Sequence, residues 1–370
     1  MIHSQARGFL IINMAMLLAA CGADQADTST TEATQSVTAG ASVTEVISCP
    51  SDPGINYICG LMNAEDLLML GDTGRILTSG MSGEGVSGHL YMVNPLDDSW
   101  EELVTGVNFS QDHDASAYPN CPGPLDVTNF SAHGLALNEY DTYQFDLYIT
   151  SHGEREAIEI FDLDMSEGIA ELTWKGCVPM NAEIMYNSIA ILSDGGFVST
   201  EFMNWNEGIG VVFAGAVNGN VVEWHPGGEV TDIAGTELSG ANGIAVTDDD
   251  RYMFVAAFGT REIIRFDRSQ DPIVRESITL DIVLDNIRWG EPGKLLTAGG
   301  NYVSPEECSG EGCATGWSVV EVDAETLEAV RVGGMDQNAA MQGVSSALQV
   351  NDEIWVGTYN GDRIGYFTKQ

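Results

Sequence analysis

Residues 242–255 read NGIAVTDDDRYMFV, and they show the pattern that decides the fold. Two apolar runs, 244–246 and 252–255, flank an acidic turn, which is typical of a β-hairpin. Similar hairpins recur along the chain, and each first strand opens with a small or polar residue. These openings lie at Glu65, His133, Asn187, Asn242, Asp285 and Ser345. Recurrence of one supersecondary unit indicates a repeat architecture.

The size of the repeat indicates which architecture this is. Residues 50–370 are 321 residues, so six units have about 53 residues each (321/6), a plausible length for a four-stranded propeller blade. Almost no helical periodicity occurs beyond residue 60, and Gly, Asp and Asn turns separate short apolar runs. We therefore predict an all-β fold, a six-bladed β-propeller over residues 49–370. A β-sandwich and a two-domain β-protein are the alternatives, but neither accounts for six similar openings.

Polar residues at the strand openings predict a site on the propeller axis. The innermost strand of each blade lines the central channel, so the first residues of these strands meet at one mouth. Amides, carboxylates and a histidine stand there, at Glu65, Asp66, His133, Asn187, Asn242, Asp285 and Asn286. Hard oxygen donors suit calcium better than zinc or copper. A turn role is the alternative for each residue alone, but recurrence at one point of each repeat favours a central calcium site.

The net charge of the chain excludes one class of function. Fourteen Lys and Arg residues stand against 55 Asp and Glu residues, which gives a net charge of −41. Such a surface repels phosphate backbones and no basic cluster offsets it, so we exclude nucleic acid as a partner. The acidity fits a salty environment or a cation-rich site, and a merely solvated anionic surface is the alternative.

The first 48 residues are typical of an exported and anchored protein. Residues 1–20 contain Arg7 followed by an apolar run, as in a signal peptide. The run ends in Leu-Ala-Ala-Cys21, which resembles a bacterial lipobox and implies cleavage before Cys21 and a lipid on its thiol. Residues 21–48 are poor in apolar side chains and predict a disordered tether. We therefore expect a lipoprotein of the cell envelope, and Gly22 after the cysteine favours the outer membrane.

Six cysteines remain after Cys21, and an even count in an exported chain favours disulfides over metal thiolates. Fifteen pairings are possible in principle, and free buried thiols are the alternative. Cys49–Cys59 and Cys308–Cys313 would close short loops. Cys121–Cys177 would then be the long-range link, and closing that larger loop constrains the unfolded chain most.

Seven short motifs resemble the paraoxonase family of arylesterases and lactonases, which are six-bladed calcium propellers. They are NAEDL at 63–67, FSAHGL at 130–135, LYITSH at 147–152, NSI at 187–189, ANGI at 241–244, LDNI at 284–287 and QGVSS at 342–346. Their order and approximate spacing also match the family over most of residues 60–367. The related gluconolactonase and senescence-marker group shares the fold and some ligands, but it matches the two histidines and the Asp-Asn pair less well.

The resemblance implies a role for each matched residue. A catalytic calcium would be held by Glu65, Asn187, Asn242, Asp285 and Asn286. His133 would be the general base and His152 its partner, whereas the side chain of Asp66 and the carbonyl of Leu135 would bind a second, structural calcium. Ser188 stands where the family has an aspartate ligand, so we expect this second site to be weakened or absent. The last strand, residues 364–367, also lacks the cysteine that joins the chain ends in the family.

The predicted function is a calcium-dependent hydrolase of lactones or carboxylic esters, with calcium as Lewis acid and His133 as candidate general base. A non-catalytic, calcium-stabilised binding propeller on the cell surface and a gluconolactonase-type sugar lactonase are the alternatives. Neither a Gly-x-Ser-x-Gly elbow nor an HExxH zinc motif occurs in the sequence. Trp205, Trp317 and Tyr302 either line an acyl pocket or pack between blades.

Overall fold

The computed structural model describes residues 49, 51–83, 86–104, 109–303, 316–337 and 340–369. The predicted signal peptide and tether lie outside the described residues, as do Cys308 and Cys313. Within the described ranges the regular secondary structure is almost entirely strand, with one short helix α1 (Ile209–Phe213) and a 3-10 turn at Gly71–Thr73. No helix in these ranges has the length and apolar character needed to cross a membrane.

The described strands form six sheets, which confirms the predicted propeller. Strand β1 (Asn56–Cys59) precedes the first blade. Blade I contains β2 (Ala64–Met69), β3 (Ile76–Gly80), β4 (His89–Asn94) and β5 (Ser99–Glu102). Blade II contains β6 (Phe109–Gln111), β7 (Phe130–Asp141), β8 (Gln144–Gly153), β9 (Ala157–Asp164) and β10 (Glu171–Pro179). Blade III contains β11 (Ile184–Ile191), β12 (Phe197–Asn204), β13 (Asn220–Trp224) and β14 (Thr231–Asp232).

The second half of the chain repeats this plan. Blade IV contains β15 (Ala241–Val246), β16 (Tyr252–Ala257), β17 (Glu262–Asp267) and β18 (Val274–Thr279). Blade V contains β19 (Ile282–Trp289), β20 (Lys294–Asn301), β21 (Trp317–Asp323) and β22 (Ala329–Met335). Blade VI contains β23 (Val344–Val350), β24 (Glu353–Thr358) and β25 (Arg363–Thr368), and β1 completes it as the outer strand. Neighbouring strands are antiparallel except for the parallel pair β6 and β10.

The inner strands of the six blades close a ring. Strand β2 contacts β7, and contacts then run from β7 to β11, β15, β19 and β23 and back to β2. Apolar side chains fill the junctions between adjacent sheets. The described residues form one buried hydrophobic cluster for each of the six junctions. Because both faces of each sheet are covered by its neighbours, the strands need no helices to bury their apolar residues.

The N-terminal strand β1 closes the ring by pairing with the last strand. Its partner is β25, in a register that sets Asn56 opposite Tyr366 and Cys59 opposite Arg363. A disulfide between Cys49 and Cys59 lies at the end of β1, and a second one joins Cys121 to Cys177 on β10. Both pairings were predicted and are confirmed. Although the last strand has no cysteine, backbone hydrogen bonds hold the two ends of the propeller together.

Each inner strand carries a register shift at its polar opening. The shifts lie between residues 64 and 67, 132 and 135, 185 and 189, 241 and 244, 284 and 287, and 344 and 346. A β-bulge takes residues out of the ladder and re-aims their side chains. The six openings are therefore freed from regular pairing at the point where the strands approach the axis.

Candidate active site

The five predicted calcium ligands are buried at these bulges, and the relative exposure of each is 6% or less. Every one of them keeps a buried oxygen that accepts no hydrogen bond within the described part of the chain: Glu65 Oε2, Asn187 Oδ1, Asn242 Oδ1, Asp285 Oδ1 and Asn286 Oδ1. Buried polar atoms in native proteins nearly always have a partner. Five orphaned oxygens on four of the six openings are therefore suited to an electropositive group.

Direct contacts link these side chains across distant parts of the chain. Asn286 Nδ2 donates a hydrogen bond of 2.6 Å to Glu65 Oε1, and His133 Nε2 lies 3.7 Å from the same oxygen. The side chain of Asn242 lies close enough to Asp285 to lower the pKa of its carboxyl group. Residues from blades I, II, IV and V thus meet around Glu65 and Asp285.

Two glycines allow the inner strands to come this close. A Cβ atom on Gly134 would lie 2.3 Å from the carbonyl oxygen of Asn187, and one on Gly243 would lie 2.6 Å from Cα of Asn286. Any side chain at either position would push neighbouring inner strands apart. The Gly that follows the polar residue in His133-Gly134 and Asn242-Gly243 is therefore needed for the close approach rather than for a turn.

Among the described residues, neither acidic residue of this group forms an ion pair with a Lys or Arg side chain. Burial, followed by repulsion from Asp66, raises the pKa of Glu65 from 4.5 to about 8. Burial and the nearby Glu65 raise the pKa of Asp285 well above its ordinary value. A bound cation would reverse both effects because it stabilises the ionised carboxylates.

The donor set of this group fits a hard cation. No three or more His, Cys, Asp and Glu side chains of the described residues gather closely enough to bind a metal by themselves. A cation here would therefore need the amide oxygens of Asn187, Asn242 and Asn286 as well, and a mixture of carboxylate and amide oxygens is what calcium takes.

A chain of hydrogen bonds runs from His133 away from Glu65. His133 Nδ1 lies 2.8 Å from His152 Nε2, and His152 Nδ1 lies 2.9 and 2.8 Å from the two oxygens of Glu156. A carboxylate only accepts, so His152 carries its proton on Nδ1 and accepts on Nε2. His133 must then donate from Nδ1, which leaves Nε2 with the free lone pair on the side of Glu65. The predicted histidine pair is thus a three-member relay.

Both histidines are held in the neutral form that a general base needs. Burial lowers the pKa of His133 from 6.5 to about 4, although Asp66, Glu156 and the carbonyl of Tyr186 act in the opposite direction. Burial also lowers the pKa of His152, although the hydrogen bond that His152 donates to Glu156 acts in the opposite direction. Desolvation outweighs the nearby negative charges because both rings are buried.

The residues predicted for a second calcium have a different environment. Arg288 donates from Nε to Asp66 Oδ1 at 3.0 Å and from Nη2 to Asp66 Oδ2. The same Nη2 lies 2.8 Å from the carbonyl oxygen of Leu135. The guanidinium of Arg288 therefore contacts both groups that the resemblance assigns to the second ion. The hydroxyl of Ser188 is also buried, without a hydrogen-bond partner in the described part of the chain.

A cavity of about 770 Å³ opens beside Asp285. Its walls are largely aromatic and aliphatic, from Phe213, Phe258, Val283, Tyr302, Val344 and Tyr359. Arg261 also lines it and stacks its guanidinium 3.6 Å from the ring centre of Tyr302. Of the three aromatic candidates, Tyr302 lines this cavity, Trp205 stands edge-on to His152, and Trp317 is buried in the junction between blades V and VI.

Sequence reasoning missed Glu156 and Arg288. Glu156 is one of many acidic residues, and only its burial and its contact with His152 distinguish it. Arg288 could have been noticed in the sequence, because it is a basic residue between two apolar ones, two positions after Asn286. Ser188 stands where the paraoxonase family has an aspartate. The presence of Arg288 together with this serine could have suggested that the charges around Asp66 differ from those in that family.

Comparison with known proteins bears on the fold. A luciferin-regenerating enzyme has a TM-score of 0.54 and 13% identity, and the alignment covers 85% of this chain and 94% of that one. A gluconolactonase of Xanthomonas campestris has a TM-score of 0.52 and 16% identity, with 85% and 89% coverage. The shared feature is the fold. No protein-family model and no curated protein matches the chain, so the resemblance to paraoxonases rests on the sequence motifs and stays a prediction.

Proposed function

We propose that the protein is a calcium-dependent hydrolase of lactones or carboxylic esters. The observation that carries this proposal is the group of five orphaned oxygens beside the free Nε2 of His133. A cation site with a neutral imidazole at its edge is suited to activating water next to a polarised carbonyl. The cavity that Asp285 lines is the proposed binding place of the substrate.

Glu65, Asn187, Asn242, Asp285 and Asn286 would hold the calcium ion. When bound, it would supply a Lewis acid for the substrate carbonyl and for the negative charge that develops on its oxygen. His133 Nε2 takes a proton from water as the water oxygen bonds to the carbonyl carbon. His133 then returns that proton to the leaving oxygen as the ester C–O bond breaks. Glu156 stabilises the transient positive charge through His152, and it keeps both rings in the required tautomer.

The walls of the cavity favour a substrate with an apolar arm over a sugar lactone. Seven of its fourteen lining residues are aromatic or aliphatic, whereas a polyhydroxylated ring needs many convergent polar groups. A gluconolactonase-type activity is the second candidate, and it is supported by the fold shared with the gluconolactonase from Xanthomonas campestris. Both candidates are lactone hydrolases and differ in substrate polarity.

A substrate panel tests the proposal. We would measure hydrolysis of δ-decalactone, phenyl acetate and glucono-δ-lactone with calcium and again after chelation with EDTA. We expect calcium-dependent turnover, fastest with δ-decalactone. Preference for glucono-δ-lactone would favour the second candidate. Turnover that persists after complete removal of calcium would contradict the mechanism.

The Asn242→Ala variant separates a hydrolase from a calcium-stabilised binding propeller on the cell surface. Loss of one ligand should abolish turnover in a hydrolase, whereas a pure binder has no turnover to lose and changes only in stability. Asn138→Ala is the matched control, because Asn138 is exposed on β7 away from the strand opening. Absence of turnover in the wild type with every substrate, together with stabilisation by calcium, would favour the binder.

We also propose that the protein is a lipoprotein attached to the bacterial cell envelope through Cys21. The apolar run and the Leu-Ala-Ala-Cys21 motif support this. Radioactive palmitate should label the wild type expressed in a bacterium and should not label Cys21→Ser. Equal labelling of both would contradict the proposed anchor.

A further inference from the structure

We propose that the guanidinium of Arg288 takes the place of a second cation in the channel, so that the folded chain binds one divalent cation rather than two. The first cation is the calcium ion of the proposed function, so the expected total of one bound cation rests on that function. The replacement of the second cation rests on Asp66, Leu135, Ser188 and Arg288 alone. The structure thus disagrees with a family pattern of two ions.

The carboxylate of Asp66 has no acceptor position left for a metal. Its Oδ1 accepts from the backbone N–H of Leu67 at 2.9 Å and from Arg288 Nε at 3.0 Å. Its Oδ2 accepts from the backbone N–H of Leu135 at 2.8 Å and from Arg288 Nη2. A carboxylate offers about four lone-pair directions, and four donors use them.

The remaining ligand assigned to the second ion is also engaged. The carbonyl oxygen of Leu135 accepts from Arg288 Nη2 at 2.8 Å. One guanidinium therefore bridges a carboxylate on β2 and a carbonyl on β7 from its own position on β19. A bound cation at this place would link the same groups by coordination.

The local charge supports the same conclusion. The side chain of Asp66 is fully buried, and Ser188 adds no charge where the family has an aspartate. A buried carboxylate needs one compensating positive charge, which Arg288 supplies. A divalent ion at the same place would leave an excess positive charge in a dehydrated channel, at a high cost in free energy. If an aspartate stood at position 188 in addition to Asp66, the two negative charges would favour a divalent ion.

An exchange of charge should therefore create the second site. Ser188→Asp/Arg288→Ser removes the guanidinium from Asp66 and from the Leu135 carbonyl. It also adds a carboxylate at position 188, whose backbone adjoins Gly134, the residue before Leu135. We would measure bound calcium by mass spectrometry of the metal after gel filtration, and by calorimetric titration. Ser166→Asp/Arg251→Ser is the matched control, since it makes the same substitutions at exposed positions.

We expect the double variant to bind one equivalent more than the wild type and the control. A wild type with two equivalents, or a folded double variant without any gain, would overturn the inference. If the wild type binds none and the double variant binds one, the proposed calcium-dependent function fails while the replacement by Arg288 stands.

Ser188→Asp alone provides a second measurement in case the double variant does not fold. Arg288 remains in place in this variant, so we expect no additional calcium equivalent. A gain of one equivalent would show that the guanidinium does not occupy the position and would overturn the inference.

Discussion

Glu65 and Asp66 follow one another on β2, and both carboxylates are almost completely buried. Glu65 receives a hydrogen bond from Asn286 on one oxygen, and its other oxygen is orphaned among the described residues. Asp66 receives four hydrogen bonds, two of them from Arg288. The comparison teaches that burial alone does not assign a role to a carboxylate. An uncompensated one is suited to binding a cation, whereas a compensated one joins strands.

Glu65→Gln tests whether the uncompensated carboxylate binds the cation, and we expect it to produce the largest effect. The substitution keeps the shape and removes the charge that holds the cation. We expect turnover at the uncatalysed background and no bound calcium, with the fold retained, as measured by hydrolysis, metal content and circular dichroism. Glu154→Gln, at an exposed position two residues after His152, should behave as the wild type. Unchanged calcium content in Glu65→Gln would break the comparison.

His133→Gln should reduce kcat by about 10²–10⁴-fold, the usual contribution of a general base. His133 adjoins Glu65 without being one of the five oxygen donors, so calcium content should remain that of the wild type. His225→Gln is the control, since His225 is exposed and paired with Asp194. A His133→Gln variant with normal turnover would assign the ring to a structural role.

Arg288→Met tests the role of the compensated carboxylate, that of Asp66. Removing one partner of a buried ion pair leaves the other charge dehydrated, so we expect a loss of about 3–5 kcal/mol in the free energy of unfolding. Denaturant unfolding at saturating calcium measures this loss. Arg251→Met breaks an exposed pair with Asp267 and should cost no more than about 1 kcal/mol. Equal losses in the two variants would show that the Asp66–Arg288 pair is unimportant.

Glu156→Gln should lower kcat by about 10–100-fold, as expected for a residue that orients a functional group through another. The amide can donate to His152 Nδ1 and so favour the wrong tautomer of both rings. Glu156→Asp, which retains the acceptor, should recover part of the activity. If both variants were equally impaired, the effect would come from packing and not from the relay.

The smallest effect concerns pH in the calcium-free protein. Burial raises the pKa of Glu65 from 4.5 to about 8, so the folded protein keeps a proton that the unfolded chain loses. This contribution to stability is complete below pH 4.5 and is lost as the pH rises to about 8, by at most about 1.4 kcal/mol per pH unit. Unfolding in EDTA at pH 5.5, 6.5 and 7.5 should show this slope, and Glu65→Gln should reduce it. An identical slope in both proteins would mean that Glu65 is ionised without calcium.

The repeat architecture was predictable because its signals are local. Six similar strand openings, acidic or glycine-rich turns and the absence of helical periodicity can all be read within short segments such as residues 242–255. The same periodicity predicted which residues approach the axis, since the opening of every inner strand occupies the same place in its blade. The pairings of Cys49 with Cys59 and of Cys121 with Cys177 were also predicted.

The sequence by itself therefore determined the fold, and it predicted which polar residues stand at the strand openings. Only the tertiary structure decided which of those carboxylates is compensated, because charge balance depends on neighbours that lie far apart along the chain. Arg288 reaches Asp66 across 222 residues, and no local pattern records that distance. Glu156 likewise becomes part of the histidine relay only when β8 and the segment that follows it are folded against β7. Burial and pairing of charges are properties of the assembled channel.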